Sequence, residues 1–175
     1  MKRLLLWVPA IVVVIFLVIF ASGLRSPESR TVPSGLVGKP LPSFKLDAAM
    51  PGEPGLSSDA FRTGKPKILN LFASWCVPCA AEAPHLLRLQ KAGIEINAVA
   101  IRDKPADIGR FLERHGNPYH RIGADPASAV QISLGSSGVP ESFIVDGKGV
   151  IRYQHIGDIR AEDVDRILAM MKDLQ

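Results

Sequence analysis

The sequence predicts an α/β fold: a mixed β-sheet with helices on both faces, preceded by one N-terminal transmembrane helix. Three observations carry this expectation. From residue 40 onward, short apolar runs of strand length alternate with segments of helical periodicity. Near the C-terminus, Asp146-Gly147 joins two strand-like runs, which adds an antiparallel hairpin to a chain that otherwise alternates strand and helix. At the N-terminus, an uncharged stretch over residues 4–23 approaches the length of about 20 residues that crosses a bilayer as a helix.

Composition fits that plan. The chain has 175 residues, 47% apolar and 22% charged, enough for one globular domain plus an accessory segment. A domain of about 150 residues buries about 70% of its unfolded surface and needs no disulfide staple. The only two cysteines are therefore free for function. The net charge of +4 includes Lys2 and Arg3, and no basic run interleaves with aromatics, which argues against nucleic-acid binding.

Residues 1–24 read as a cytoplasmic tip and transmembrane anchor. Lys2 and Arg3 should stay on the cytoplasmic side, which sends everything after Leu24 outward, and Trp7 suits the membrane interface. The competing reading is a cleaved secretory signal, although such signals have apolar cores of only about 7–15 residues. Ala21-Ser22-Gly23 offers a weak cleavage site. Both readings export the domain; in a bacterium the anchor lies in the inner membrane and the domain in the oxidising periplasm. Residues 25–37, with Ser, Pro, Gly and charges in no periodic pattern, read as a linker. The folded domain is residues 38–175.

Within the domain, residues 40–46 read as an extended segment and residues 48–55, with two Pro and two Gly, as a loop. Residues 67–73 form a continuous apolar run, the mark of a central strand buried on both sides. Residues 79–91 read as a helix with Pro84 inside it, residues 94–101 as a strand, and 105–115 as an amphipathic helix carrying Ile108, Phe111 and Leu112. A short strand over 119–122 and a helix over 126–134 follow; Ser and β-branched residues weaken that helix. Strands over 141–145 and 149–155 flank Asp146-Gly147-Lys148. A helix over 161–174, with Val164, Ile167, Leu168 and Met171 at helical spacing, closes the chain.

Chemistry concentrates at Trp75-Cys76-Val77-Pro78-Cys79, between the apolar strand and the helix. A Cys-x-x-Cys in that position reads as a redox motif of thioredoxin type. The thiolate is the attacking species, and Cys76 at a helix N-terminus gains from the positive end of the dipole. Pro78 presets the first helical turn. Cys79, one turn deeper, can close the disulfide. Cys76 is thus the expected nucleophile and Cys79 the resolving thiol. A zinc site needs four ligands, and His85, His115, His120 and His155 show no regular spacing. A structural pair is the remaining competitor, but so short a disulfide loop restrains little chain entropy.

These motifs resemble thioredoxin, and more narrowly the CcmG/DsbE family of cytochrome c biogenesis thioredoxins. The resemblance rests on residues 38–46 (GKPLPSFKL), 69–76 (LNLFASWC), 116–119 (GNPY), 138–143 (GVPESF) and 150–153 (VIRY), with Pro84 matching the helix proline of the fold. It implies a thioredoxin-like fold and a cis Val139-Pro140 peptide facing the redox pair, with Val139 and Pro140 pairing with an extended substrate chain. It implies no soluble cofactor, only the redox-active Cys76–Cys79 disulfide, re-reduced by a membrane electron donor. Its implied partners are apocytochrome c, with Cys-x-x-Cys-His sites, and other maturation components. Ser136-Ser137 before Gly138, and Ser142 where the family has Thr, depart from the pattern near the substrate groove.

Thioredoxin carries a buried Asp where this chain has Asn70. Glu82, on one helix face with Cys79, or Glu141, after Pro140, is expected to replace it as proton acceptor. Trp75 is expected as an apolar platform for the partner. The expected function is that of a membrane-anchored reductant in cytochrome c maturation. The rivals are a general periplasmic disulfide oxidase or reductase and a chaperone-like apocytochrome-binding module. A peroxidase fits less well, because the peroxide-reducing relatives need Thr where Ala73 stands.

Overall fold

The computed structural model describes residues 7–25 and 35–175; the expected cytoplasmic tip before Trp7 and linker residues 26–34 lie outside the described residues. The chain divides into two units between Thr31 and Val32. The first contains helix α1 (Val8–Arg25), 18 residues of mostly apolar sequence. At 1.5 Å per residue it extends about 27 Å, short of the ~30 Å hydrocarbon core. Among the described residues, no helix is long and apolar enough to cross a membrane.

The second unit is the α/β domain. A small hairpin of β1 (Lys45–Leu46) and β2 (Leu56–Ser57) leads through a 3₁₀ turn (Ser58–Phe61) to β3 (Lys67–Phe72). Then come α2 (Val77–Lys91), β4 (Ile96–Ile101), α3 (Pro105–His115), β5 (Arg121–Asp125), α4 (Ala129–Ser133), β6 (Glu141–Val145), β7 (Ile151–Ile156) and α5 (Ala161–Asp173). The main sheet has the order β5-β4-β3-β6-β7. β3 is central, parallel to β4 and antiparallel to β6, so the sheet is mixed as the sequence predicts.

Strand alternation gives the sheet two unlike faces. Ile68 and Phe72 of β3 join a core with Leu86 and Leu89 of α2, Ile108 and Phe111 of α3, and Val164 and Ile167 of α5. Leu69 and Leu71 point the other way, into a core with Leu41, Leu56, Phe61, Val130 and Leu134. The three long helices thus share one face. The other is covered by residues 36–46, the 3₁₀ turn and the short α4.

Several boundaries differ from expectation. Helix α2 begins at Val77, two residues early, because Cys76 caps it. Strand β5, Arg121–Asp125, starts two residues later than the expected residues 119–122 and runs three residues further. Helix α4 is only 5 residues long; the chain enters it through Ser128 in the left-handed region (φ 57°). Asp125 then accepts from the N–H groups of Ala129, Val130 and Gln131 at 2.8, 2.9 and 3.2 Å. The hairpin loop spans the five residues 146–150 rather than the three expected, Asp146-Gly147-Lys148. Asp146 Oδ1 accepts from Lys148 and Val150 N–H, each at 2.9 Å, which delays β7 to Ile151. Gly147 is required there: a Cβ would lie 2.3 Å from the backbone of Gly64.

Candidate active site

β3 ends at Phe72, and Ala73-Ser74-Trp75 turns the chain into α2. Cys76 is the N-cap of that helix, in extended conformation (φ −87°, ψ 110°), and its Sγ accepts from Cys79 N–H at 3.2 Å. The two cysteines form a disulfide with Cα atoms 5.3 Å apart. Both are buried, whereas Trp75 and Val77 beside them are 61% and 80% exposed. The sulfurs thus sit behind an apolar rim that a partner chain can cover.

Asp103, just past β4, holds the turn from behind. Its Oδ2 accepts from Ser74 N–H at 2.5 Å and its Oδ1 from the Ser74 hydroxyl at 2.7 Å. Its neighbour Arg102 has φ 47°, a left-handed conformation that costs a non-glycine residue about 1–2 kcal/mol. Arg102 Nε donates to Ser128 Oγ at 2.8 Å, which helps to hold it there. The sequence reading missed Asp103, since nothing in its local pattern marks an acid that reaches across to another strand's turn.

The Val139-Pro140 peptide is cis, as the family resemblance implies. It immediately precedes β6, whose Glu141 pairs with Leu71 near the end of β3. The cis bond therefore lies at the same end of the sheet as Cys76, and Val139 packs against the core that contains both cysteines. Glu141 ties this loop down. Its Oε2 accepts from the Ser136 hydroxyl at 2.8 Å and Ser137 N–H at 3.1 Å, and its Oε1 accepts from Gln154 Nε2.

The two candidate acids lie on opposite faces of the sheet. Glu141 alternates with Ser142 and shares its side with Phe143 and Val145. Glu82 lies under α2, on the Asn70 face, three residues after Cys79. Asn70 Nδ2 donates to Glu82 Oε1 at 3.1 Å and to Ser142 Oγ at 3.0 Å, and Asn70 Oδ1 accepts from Tyr119 OH at 2.9 Å. Ile159 N–H donates to Glu82 Oε2 at 3.1 Å. Burial raises the Glu82 pKa from 4.5 to about 7, against the lowering effect of the Ile159 and Asn70 hydrogen bonds, while the charge of Asp158 raises it further. Burial also pushes the Tyr119 phenol well above its ordinary value, and the Glu82 charge adds to that. A lone Asn in an otherwise apolar strand is the sequence signal for this network, since a buried amide needs partners; Tyr119 and Ser142 are not identifiable from sequence spacing alone.

Beside the disulfide lies a cleft of about 470 Å³, lined by Ser74, Trp75, Cys76, Val77 and Ala80 on one side and by Asp107, Arg110, Phe111, Arg114 and His115 of α3 on the other.

A central strand feeding a Cys-x-x-Cys disulfide at a helix N-cap, opposite a cis proline, defines a thioredoxin-like thiol–disulfide oxidoreductase. The comparisons agree. Residues 36–170 match the Redoxin family. The thiol:disulfide interchange protein HelX of Rhodobacter capsulatus is 35% identical over 177 residues, covering 99% of this chain and all of HelX. The thiol:disulfide interchange protein DsbE of Escherichia coli is 36% identical over 168 residues, covering 91% of this chain and 88% of DsbE. A crystal structure of a thioredoxin-family thiol:disulfide interchange protein from Chlorobium tepidum superposes with a TM-score of 0.62 at 27% identity, covering 75% of this chain and 94% of that one. The chain belongs to the DsbE/HelX (CcmG) family of thiol:disulfide interchange proteins.

Proposed function

We propose that this protein is a membrane-anchored reductant of the bacterial periplasm that serves cytochrome c maturation. The observation that carries the reading is the family membership across nearly the whole chain together with the Cys76–Cys79 pair at the α2 N-cap. The apolar sequence over residues 4–23 behind Lys2 and Arg3 supports the anchor. Residues 1–24 are then tip and anchor, 25–37 the linker and 38–175 the catalytic domain. Substrates are disulfides of apocytochrome c Cys-x-x-Cys-His sites, or a mixed disulfide with a maturation partner.

In the reduced protein, the Cys76 thiolate attacks one sulfur of the substrate disulfide. A mixed disulfide forms and one substrate thiolate leaves. Cys79 gives its proton to Glu82, and its thiolate attacks Cys76, which releases the second substrate thiolate. The substrate gains two electrons, its two leaving thiolates take their protons from solvent, and the protein is left with the Cys76–Cys79 disulfide, for a membrane donor to reduce, and with the Cys79 proton on Glu82. No soluble cofactor takes part. A pKa of about 7 leaves Glu82 half ionised at neutral pH, suited to accepting and returning one proton. Glu141 holds the 136–140 loop in place, while Trp75, Val139 and Pro140 contact the substrate chain.

Complementation tests the reading: a strain lacking its own DsbE receives this protein or its Cys76→Ser/Cys79→Ser variant. Restored c-type cytochromes with the first and none with the second are expected. Restoration by the double variant would replace the reductant with a binding module.

A further inference from the structure

The cleft beside the redox pair has walls of unlike chemistry. One carries Trp75, Val77 and the sulfur of Cys76; the other presents Arg110, Arg114 and His115 around the ring of Phe111. His115 packs on Phe111 with ring centroids 4.9 Å apart. Arg110 is paired with Asp107 on its own helix. Arg114 differs from Arg110: among the described residues no carboxylate lies within 4.0 Å of it, and the other two such arginines, Arg102 and Arg121, do not line the cleft. A cation in the last turn of α3 is ordinary, because it complements the helix dipole. The dipole does not require that cation to line a cleft beside a redox cysteine. Glu82 and Glu141 are buried and hydrogen-bonded, and Asp103 accepts with both carboxylate oxygens from Ser74 in the turn, so the cleft-lining arginine left without a carboxylate partner is Arg114.

We infer that this cleft selects protein substrates that carry Asp or Glu beside the disulfide attacked by Cys76. The inference rests on the thiol–disulfide exchange reading and names its substrate class. Apolar side chains of the substrate lie against Phe111 and Trp75. The substrate carboxylate meets the Arg114 guanidinium, whose planar fork matches it. Such a charge acts mainly on encounter and weakens with salt.

The test uses disulfide peptides with one Cys-x-x-Cys core and flanks of Asp, Asn or Lys, placed before or after the core in separate peptides. The readout is the ratio of kcat/KM between Asp-flanked and Lys-flanked peptides with the reduced protein. A ratio of about tenfold or more at low salt on one flank is expected. It should fall below about threefold in Arg114→Gln, and in the unmodified protein at about 0.5 M salt. Arg114 is exposed, so the substitution leaves the core intact. A ratio near one in the unmodified protein, or one that survives both Arg114→Gln and salt, overturns the inference. If the reduced protein reduces no peptide, the reductant reading fails by itself. The same ratios are then read from dithiol peptides with the oxidised protein, where an Asp preference supports the inference and its absence overturns it. A protein that exchanges with neither form removes both.

Discussion

Glu82→Gln should abolish one component of the pH dependence of stability. The carboxyl has a pKa of about 7 in the folded protein against its ordinary value of 4.5. At 1.36 kcal/mol per unit, ionising it in the fold costs about 3 kcal/mol more than ionising it in the unfolded chain. Below pH 4.5 both states are protonated and the stabilising contribution is complete. As pH rises through 4.5, the unfolded chain releases its proton while the folded one keeps it, and stability falls until pH exceeds about 7. Glutamine removes that slope. It also carries a cost, because only one of its two polar atoms accepts a hydrogen bond. Asn70 and Ile159 both donate to Glu82, so one donor is left facing an amide NH₂, at about 1–3 kcal/mol independent of pH. The variant should therefore be the less stable protein at pH 4.5, with the gap closing by about 3 kcal/mol by pH 8.5. Urea denaturation of both oxidised proteins across that range measures it. Parallel stability curves would refute the buried-carboxyl reasoning.

Further outcomes follow from the same site. Cys79→Ala should accumulate a mixed disulfide between Cys76 and a disulfide substrate, visible by non-reducing electrophoresis; free turnover in that variant would exclude Cys79 as the resolving thiol. Glu141→Gln should destabilise the domain by about 2 kcal/mol, because a donor among Ser136, Ser137 and Gln154 loses its acceptor. Denaturant titrations measure that loss. Tyr119→Phe leaves buried Asn70 Oδ1 without its donor and should cost about 1–3 kcal/mol in the same assay.

Much of this was readable in the sequence because local signals and tertiary placement agree. The apolar run at β3 had to be central, and all six of its residues are buried. Pro105 at the start of α3 and Gly116 at its end (φ 88°) set that helix to the residue. The cis Val139-Pro140 bond was accessible only through family resemblance, since no local propensity reveals it. The placement of Glu82 and Glu141 on opposite faces of the sheet was not accessible at all. Both follow a site residue by one to three positions, and only the pleat, which sends Glu141 to one face and Asn70 to the other, separates them. Asp103 and the length of α4 were missed for a related reason: Asp103 bonds a turn of another strand, and Asp125 caps α4 where a local Ser would be expected.

The equilibrium reduction potential of Cys76/Cys79, measured on the domain against a glutathione or thioredoxin couple, tests the proposed reductant role most directly. A value near the thioredoxin end, about −270 mV, is expected and fits a protein that donates electrons to substrate disulfides. A value near the oxidase end, about −120 mV, would contradict it and make the pair a disulfide donor.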